Sequence, residues 1–182
     1  MSKKALLTGC SGQDGSYLTE LLLEKGYEVH GLIRRTSNPN TRNIRHLLYN
    51  PDIFNKTFFL HDGDLSDPGS LYNLINKIQP DEIYNLACMA GVTPSFHQPE
   101  YAIDTGAMAV VRILEAIRFI NPKIKFFQAA SSHIFGNTPE FPQTEKTIMQ
   151  PISPYGIGKA SAQHIINYYR LYTALYKIGY LV

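Results

Sequence analysis

Short apolar runs alternate with longer segments of helical periodicity along most of the chain. Six runs have the length and composition of buried strands: residues 5–8, 28–34, 57–61, 82–86, 125–130 and 179–182. Four longer segments repeat apolar residues at helical spacing: residues 13–25, 68–78, 100–119 and 154–177. This alternation predicts an α/β fold, with a doubly wound parallel sheet and helices on both faces.

Two segments between these elements show no clear period. Residues 36–56 are polar and include Asn38, Pro39 and Asn40, which predicts either a mobile flap or a surface excursion. Residues 137–151 are rich in proline, threonine and glutamine, and we expect them to form a loop. The sixth strand run is only four residues long, so we expect the sheet to be truncated at that strand.

Composition and charge exclude several classes of protein. The 182 residues predict about one domain, and 17 basic against 15 acidic residues are too evenly balanced for a nucleic-acid or membrane-surface partner. No apolar run approaches the ~20 residues that span a bilayer, and the N-terminal apolar stretch is too short for a signal peptide. Two cysteines, Cys10 and Cys88, and histidines without ligand spacing predict a reduced, cytoplasmic protein with no metal.

A glycine-rich turn follows the first strand and begins the first helix. Its glycines recur at every third position, which permits a tight turn and lets backbone N–H groups approach a pyrophosphate at the helix N-terminus. The alternative is an ordinary strand-to-helix connection. If the turn binds a dinucleotide, the contacting residues are Gly9, Ser11, Gly12, Gln13, Asp14 and Gly15.

Charged residues after the second and third strands bear on which dinucleotide binds. Arg34 and Arg35 stand where an acid would favour NAD, and guanidinium groups suit a 2′-phosphate, so the pair favours NADP. An exposed basic pair on a loop is the alternative. Asp64 and Leu65 are placed to meet the adenine, although Asp64 is equally suited to cap the next helix.

Tyr155 and Lys159 are four residues apart and share one face of the last helix. A nearby ammonium and a nicotinamide cation favour the phenolate, so we expect them to lower the pKa of Tyr155 and its hydroxyl to exchange a proton with a sugar hydroxyl. Ser131 or Ser132, at the end of the fifth strand, is expected to hydrogen-bond the same oxygen.

Six stretches together resemble the extended short-chain dehydrogenase/reductase family, and within it the branch of GDP-mannose 4,6-dehydratases. They are residues 8–18, 30–35, 63–65, 80–87, 99–101 and 153–155 with Lys159. The resemblance implies a Rossmann domain over residues 1–182 that binds NADP, with the nucleotide-sugar-binding domain that normally follows absent. It also adds Leu86, Ala87 and Tyr101 to the expected cofactor contacts.

The resemblance implies a reaction as well, namely conversion of GDP-mannose to GDP-4-keto-6-deoxymannose. Tyr155, Lys159 and Ser131 are the catalytic residues it implies. His133 stands where the family places a glutamate base, and residues 88–91 read Cys-Met-Ala-Gly where the family has a polar stretch. The alternatives are another NADP-dependent nucleotide-sugar epimerase or reductase, or a truncated, non-catalytic homologue that binds NADP or dimerises.

A stripe of aromatic and aliphatic residues on the last helix resembles the dimer surface of the same family. With the helix near residues 100–119 it implies a homodimer or higher homo-oligomer, whereas ordinary packing against the sheet is the alternative. The stripe comprises Ile165, Tyr168, Tyr169, Leu171, Tyr172 and Tyr176.

Overall fold

The protein is described here by a computed structural model covering residues 2–173, 175 and 178–181. Six strands are present: β1 (Lys4–Thr8), β2 (Glu28–Ile33), β3 (Phe58–Asp62), β4 (Glu82–Asn85), β5 (Lys125–Ala129) and β6 (Ile178–Leu181). The α-helices are α1 (Gln13–Glu24), α2 (Arg45–Leu48), α3 (Pro68–Ile78), α4 (Val92–His97), α5 (Pro99–Ile103), α6 (Ala109–Ile120) and α7 (Pro154–Tyr172). Short 3-10 turns occupy Arg42–Ile44 and Ser132–Ile134, and a π-helical segment occupies Asp104–Met108.

The six strands form one parallel sheet in the order β3-β2-β1-β4-β5-β6. Thr8, the last residue of β1, pairs with Leu32 of β2 on one side and with Asn85 of β4 on the other. The strand order therefore reverses at β1, and ligands of such sheets bind outside the carboxyl ends of the strands at that reversal. The predicted doubly wound sheet is confirmed, with strand bounds shifted by one residue at most within the described residues.

Two hydrophobic cores cover the opposite faces of the sheet. One face packs against α3, α6 and α7, and the other packs against α1 and α2. Alternate residues of β1 serve the two cores, since Leu6 faces the first and both Ala5 and Leu7 face the second. A central parallel strand buried on both faces is therefore apolar throughout, which is why β1 appears in the sequence as a continuous run.

The prediction of a single helix over residues 100–119 is wrong in its continuity. α5 and α6 are joined by the π-helical Asp104–Met108, and the separate helix α4 precedes them. The Thr105 hydroxyl donates to the Tyr101 carbonyl at 2.8 Å, a side-chain bond that competes with the regular helical pattern. Gly106 lies against Gly158 of α7, and a Cβ at Gly106 would come within 3.2 Å of the Gly158 Cα. The spacing of apolar residues alone does not predict such an interruption between two helices.

The last helix is shorter than predicted. α7 begins where Ser153 accepts a hydrogen bond from the Gly156 amide at 3.1 Å, and it ends at Tyr172 instead of residue 177. Thr173 has extended backbone angles and leads toward β6. Tyr176, Lys177 and Val182, which the predictions included, lie outside the described residues.

The polar segment 36–56 is a surface excursion whose middle is anchored. Ile44 and Leu47 are buried in the second core. The Asn43 side-chain amide donates to the Ser11 carbonyl of the glycine turn at 3.0 Å. Residues 137–151, by contrast, form the predicted loop without helix or strand. Within the described ranges, no helix combines the length and apolar composition that crossing a bilayer requires.

Beneath the glycine turn, Cys10 is fully buried against Gly31 of β2. A Cβ at Gly31 would overlap the Cys10 Sγ and lie 3.3 Å from the Leu60 Cδ1. Burial raises the pKa of the Cys10 thiol to about 12, so the side chain is a neutral, space-filling group at neutral pH. Because the turn rests on this contact, β2 has no space for a side chain at Gly31.

Gly31→Ala is expected to lower the free energy of unfolding by about 1–3 kcal/mol, since it overpacks the space under the turn. Cys10→Ala removes the overlapping sulfur, so the double variant should recover part of that loss. Urea denaturation of the four proteins measures the coupling. Strict additivity of the two single changes would contradict the proposed contact.

A histidine pair links β2 and β3 on the face toward α3. His30 Nδ1 lies 2.9 Å from His61 Nε2, and His30 Nε2 lies 2.9 Å from the Glu28 carboxylate. Burial lowers the pKa of His30, and the hydrogen bond that His30 makes to the Glu28 carboxylate opposes this shift. Burial also lowers the pKa of His61, and the nearby His30 adds to that lowering. The neighbouring charges are Lys4, which pairs with Glu28 at 3.2 Å, and Lys77 of α3.

Lowered histidine pKa values mean that the folded chain resists protonation more than the unfolded chain does. The contribution of this pair to the free energy of unfolding is therefore fully present above the ordinary histidine pKa, and it decreases as the pH falls below that value. Urea midpoints should decline from about pH 7.5 to about pH 5.5, and His61→Gln should reduce that decline. His164→Gln, which changes an exposed histidine, serves as the control. Equal pH dependence in both variants would refute the assignment.

Candidate functional site

The glycine turn between β1 and α1 is built by close backbone approaches. Gly9 has a φ of +71°, and a Cβ there would lie 3.0 Å from the Ala87 backbone nitrogen. The Gly12 amide donates to the Gly9 carbonyl at 3.0 Å, and a Cβ at Gly15 would overlap that same carbonyl. A side chain at these positions would force the turn away from β4, so the glycines are needed for geometry.

The start of α1 is suited to an anion. Gly12 is the residue that caps the helix, and no side chain caps it, so the first-turn amides are not covered by a side-chain oxygen. Backbone N–H groups and the helix dipole at such a terminus attract phosphate. Asp14 also lies in this first turn, exposed to solvent. The backbone amides and the glycines of the turn therefore fit the pyrophosphate of a dinucleotide, whereas the Asp14 carboxylate disfavours an anion beside it.

A cleft of about 490 Å³ opens beside this turn at the carboxyl edge of the sheet. It extends from the end of β1 across β2 to α5. The residues around it include Thr8, Gly9, Ser11, Arg34, Asp64 and Tyr101. Leu65, Ala87 and Cys88 also border it, whereas Leu86 and Arg35 do not. The cleft lies where the strand order reverses at β1.

The two arginines after β2 differ in their surroundings. Arg34 borders the cleft, and its Nη1 donates to the Tyr101 hydroxyl at 2.8 Å. Its guanidinium carbon lies 6.0 Å from the centre of the Tyr101 ring. Arg35 is exposed outside the cleft. From the sequence, both arginines were expected to contact the 2′-phosphate. The structure places Arg34 at the cleft and Arg35 outside it.

Asp64 borders the cleft but does not cap the following helix. Its Oδ1 accepts from the Ser66 amide at 2.9 Å and from the Ser66 hydroxyl at 2.8 Å. The residue that caps α3 is Asp67, which accepts from the Gly69 amide at 2.9 Å. The capping alternative for Asp64 is therefore wrong, and its carboxylate instead fixes a local turn at the cleft. Leu65 is buried next to it, with its carbonyl accepting from Arg112 at 3.0 Å.

A chain of buried hydrogen bonds crosses the carboxyl ends of β1, β4 and β5. The Thr8 hydroxyl donates to Asn85 Oδ1 at 2.6 Å, and Asn85 Nδ2 donates to Gln128 Oε1 at 2.7 Å. Gln128 Nε2 donates to the Ala129 carbonyl at 2.9 Å, and Lys159 Nζ donates to the same carbonyl at 2.8 Å. Since Lys159 is only 3% exposed, this chain fixes its ammonium relative to the glycine turn.

Sequence reasoning missed three residues of this chain, Thr8, Asn85 and Gln128. Each is a polar residue at or near the carboxyl end of an apolar strand run, which is the signal that was available. Thr8 has a further task, because its hydroxyl oxygen also accepts from the Leu86 and Ala87 amides, each at 3.1 Å. The backbone of Leu86 and Ala87 is therefore occupied in holding the turn against β4.

The predicted catalytic residues form a second group beside the cleft. The His133 ring meets the Tyr155 ring edge-on, with centroids 5.8 Å apart, and Lys159 Nζ lies 5.9 Å from the centre of the Tyr155 ring. The Ser131 hydroxyl oxygen accepts from the His133 amide at 3.3 Å. A Cβ at Gly156 would come within 2.6 Å of the His133 carbonyl, so α7 packs tightly on the turn that carries Ser131 and His133.

The pKa of Tyr155 is raised, contrary to the expectation that a nearby ammonium would lower it. Burial is the main cause, and a hydrogen bond from Ser131 opposes it while Cys88 adds to it. The Lys159 ammonium donates to the Ala129 carbonyl at 2.8 Å and lies 5.9 Å from the centre of the Tyr155 ring. Cys88 both borders the cleft and acts on Tyr155, so the cleft and the second group adjoin at this residue.

Other segments brace the site. The Met89 amide donates to the Thr105 hydroxyl oxygen at 3.1 Å, which ties residues 88–91 to the π-helical segment. Arg112 of α6 donates to both carboxylate oxygens of Asp104, at 2.6 and 3.0 Å. These contacts depend on the interruption between α5 and α6, which periodicity did not indicate.

The strand order, the glycine turn and the strand reversal at β1 define a Rossmann domain. A UDP-Glc/GlcNAc 4-epimerase from Campylobacter jejuni has the same fold, with a TM-score of 0.86 and 20% identity over 98% of this chain and 52% of that one. A dTDP-glucose 4,6-dehydratase from Bacillus anthracis, solved in complex with NAD, matches with a TM-score of 0.76 and 25% identity over 98% of this chain and 53% of that one.

The sequence profile of GDP-mannose 4,6 dehydratase matches residues 6–181, and the chain belongs to that family. GDP-mannose 4,6-dehydratase from Yersinia enterocolitica is 50% identical over 92% of this chain and 46% of the relative. GDP-mannose 4,6 dehydratase 1 from Arabidopsis thaliana is 51% identical over 93% of this chain and 48% of the relative. The chain thus spans about half the length of the curated relatives it matches.

Ser131→Ala is expected to raise the pKa of Tyr155 further, since it removes the one hydrogen bond that favours the phenolate. Ring-carbon NMR of labelled tyrosine, followed across an alkaline titration, measures the change. Ser132→Ala, which alters the exposed neighbour, is the matched control. A Tyr155 titration that both variants leave unmoved would show that Ser131 does not bond the phenol.

Proposed function

We propose that this chain is the NADP-binding Rossmann part, residues 1–182, of an enzyme that converts GDP-mannose to GDP-4-keto-6-deoxymannose. The observation that carries the proposal is a dinucleotide-sized cleft at the glycine turn together with the Tyr155–Lys159 pair, whose ammonium is fixed to the end of β5 by the Ala129 carbonyl. Membership of the GDP-mannose 4,6 dehydratase family supports the choice of substrate.

The cofactor contacts are assigned along the cleft. The glycine turn and the first residues of α1, namely Gly9, Ser11, Gly12, Gln13, Asp14 and Gly15, hold the pyrophosphate. Arg34 pairs with the 2′-phosphate of NADP, with Arg35 adding positive charge outside the cleft. Asp64, Leu65, Ala87 and Tyr101, which border the cleft, would contact the adenosine and the nicotinamide ribose, with Leu86 adjoining Ala87 outside it. When bound there, the nicotinamide would take a hydride from C4 of the hexose and return it to C6.

Tyr155 and Ser131 serve the hydroxyl at C4 of the hexose. Ser131 hydrogen-bonds the oxygen, and Tyr155 accepts the hydroxyl proton as the carbon becomes a ketone. Since burial raises the pKa of Tyr155, this proton transfer requires positive charge beside the ring. Lys159 provides that charge and also reaches the nicotinamide ribose, on the side fixed by its bond to Ala129.

His133 is assigned the proton at C5, which the new ketone acidifies. A neutral imidazole accepts a proton near pH 7, and the ring stands edge-on to Tyr155 at 5.8 Å between centroids. The imidazolium then gives this proton to the C6 hydroxyl, which leaves as water, and the proton that Tyr155 accepted goes to C5 when the hydride returns to C6. The exposed position of His133 gives its ring access to a sugar above the sheet edge.

The same histidine favours a second function, that of an NADP-dependent nucleotide-sugar epimerase or reductase. His133 differs in charge and reach from the glutamate that the dehydratase reaction is expected to use. An epimerase needs only the Tyr155 proton transfer and a rotation of the keto sugar, without a base for C5. The likeness to the Campylobacter jejuni 4-epimerase shows the shared fold alone.

A homodimer through α6 and α7 is part of the proposal. Tyr168, Leu171 and Tyr172 are exposed on α7, and Phe119 is exposed near the end of α6. Tyr169 of the predicted stripe is instead buried, with its hydroxyl donating to Glu115 at 2.7 Å. The apolar surface that this leaves across two helices fits a two-fold helical interface.

Incubation of the chain with GDP-mannose and NADP⁺ is expected to yield a product lighter by one water, detected by mass spectrometry. Tyr155→Phe should slow this conversion by about 10²-fold or more, because it removes the proton acceptor. Tyr72→Phe, a change of an exposed tyrosine on α3, should leave the rate unaltered.

Each other outcome selects against the dehydratase. A product of unchanged mass would assign the epimerase reaction. Calorimetric binding of NADP⁺ without any product would leave a cofactor-binding, non-catalytic chain. Absence of dinucleotide binding by the folded chain would refute the enzyme proposals together.

A further inference from the structure

We infer that Tyr101 sets, through Arg34, the preference of the cleft for an adenosine ribose that carries a 2′-phosphate. This inference rests on the proposed binding of NADP in the same cleft. Tyr101 acts here as a positioning residue, since the group that meets the phosphate is the Arg34 guanidinium.

The contact joins two distant elements across the cleft. Arg34 directly follows β2, and Tyr101 lies in α5, 67 positions further along the chain. Arg34 Nη1 donates to the Tyr101 hydroxyl at 2.8 Å, and the guanidinium carbon lies 6.0 Å from the ring centre. Both residues border the same cleft, so their contact determines where the guanidinium stands within it.

The bond to Tyr101 uses only part of the donor capacity of Arg34. A guanidinium has five N–H donors and no acceptor, and a tyrosine hydroxyl receives one of them. The remaining donors suit the oxygens of a phosphate, which takes bidentate bonds from arginine. An exposed arginine without such a tether loses more side-chain freedom when it binds, so the tether increases affinity by orienting the group in advance.

Tyr101 is itself held in place. Its carbonyl accepts from the Thr105 hydroxyl at 2.8 Å, within the interruption between α5 and α6. The same hydroxyl oxygen accepts from the Met89 amide at 3.1 Å, which connects Tyr101 to the segment after β4 that borders the cleft. The tyrosine is therefore fixed from the side of the cleft opposite β2, and Arg34 is oriented toward a rigid partner.

This arrangement affects only a ligand that carries the phosphate. The pyrophosphate and nicotinamide of NAD and NADP are identical, and both meet the glycine turn in the same way. Loss of the Tyr101 hydroxyl therefore weakens the binding of NADP⁺ and spares that of NAD⁺.

Calorimetric titration of the chain with NADP⁺ and with NAD⁺ tests the inference in Tyr101→Phe, Arg34→Gln and the double variant. Tyr101→Phe keeps the ring and removes the hydroxyl, so we expect about a tenfold loss of affinity for NADP⁺, the effect of one hydrogen bond to a charged group. Affinity for NAD⁺ should stay within about twofold, which also shows that the variant is folded. In the Arg34→Gln background, Tyr101→Phe should have no further effect.

Tyr49→Phe is the matched control. The guanidinium carbon of Arg45 lies 5.5 Å from the centre of the Tyr49 ring, and Tyr49 lies outside the cleft. The role of Tyr101 would be overturned if Tyr101→Phe weakened the binding of both dinucleotides equally, or if it still lowered the affinity for NADP⁺ in the Arg34→Gln background. Either result would leave the proposed NADP site intact. An unchanged chain that binds neither dinucleotide, or prefers NAD⁺, would overturn the proposed cofactor and this inference with it.

Discussion

The hydrogen-bonded chain from Thr8 through Asn85 to Gln128 is the constraint on which the site depends. These side chains are buried at the carboxyl edge of the sheet, where an unpaired polar group would be costly. Each has a partner, and the last one shares the Ala129 carbonyl with Lys159. The glycine turn and the lysine of α7 are thereby held in one geometry by three adjacent strands.

Close backbone contacts at glycines also hold the elements of the site in place. Gly9 lies against Ala87, Gly106 against Gly158, and Gly156 against the His133 carbonyl. In each case a helix or turn comes nearer to its neighbour than a side chain would permit. The second group of residues is positioned by α7, and α7 is positioned by these contacts with the turn before it and with the π-helical segment.

The sequence predicted the sheet well because buried parallel strands and amphipathic helices carry strong periodic signals. It predicted the glycine turn, Arg34 and the Tyr155–Lys159 pair from local spacing. It did not predict the interruption of the helix expected over residues 100–119, where the Thr105 hydroxyl bonds the Tyr101 carbonyl although the apolar spacing continues. It also could not weigh burial against charge at Tyr155, because the direction of Lys159 is decided by Ala129, a residue 30 positions away.

The order of the strands has a consequence for how the protein forms during synthesis. β1 first pairs with the nearby β2, but its other neighbour β4 is 77 residues further on, as measured from Thr8 to Asn85. The cleft is therefore closed on both sides by residues made before β5 and α7 leave the ribosome. Pairings at such separation are slow to form. A ligand that binds the closed cleft and not the unfolded chain would stabilise the folded form by mass action.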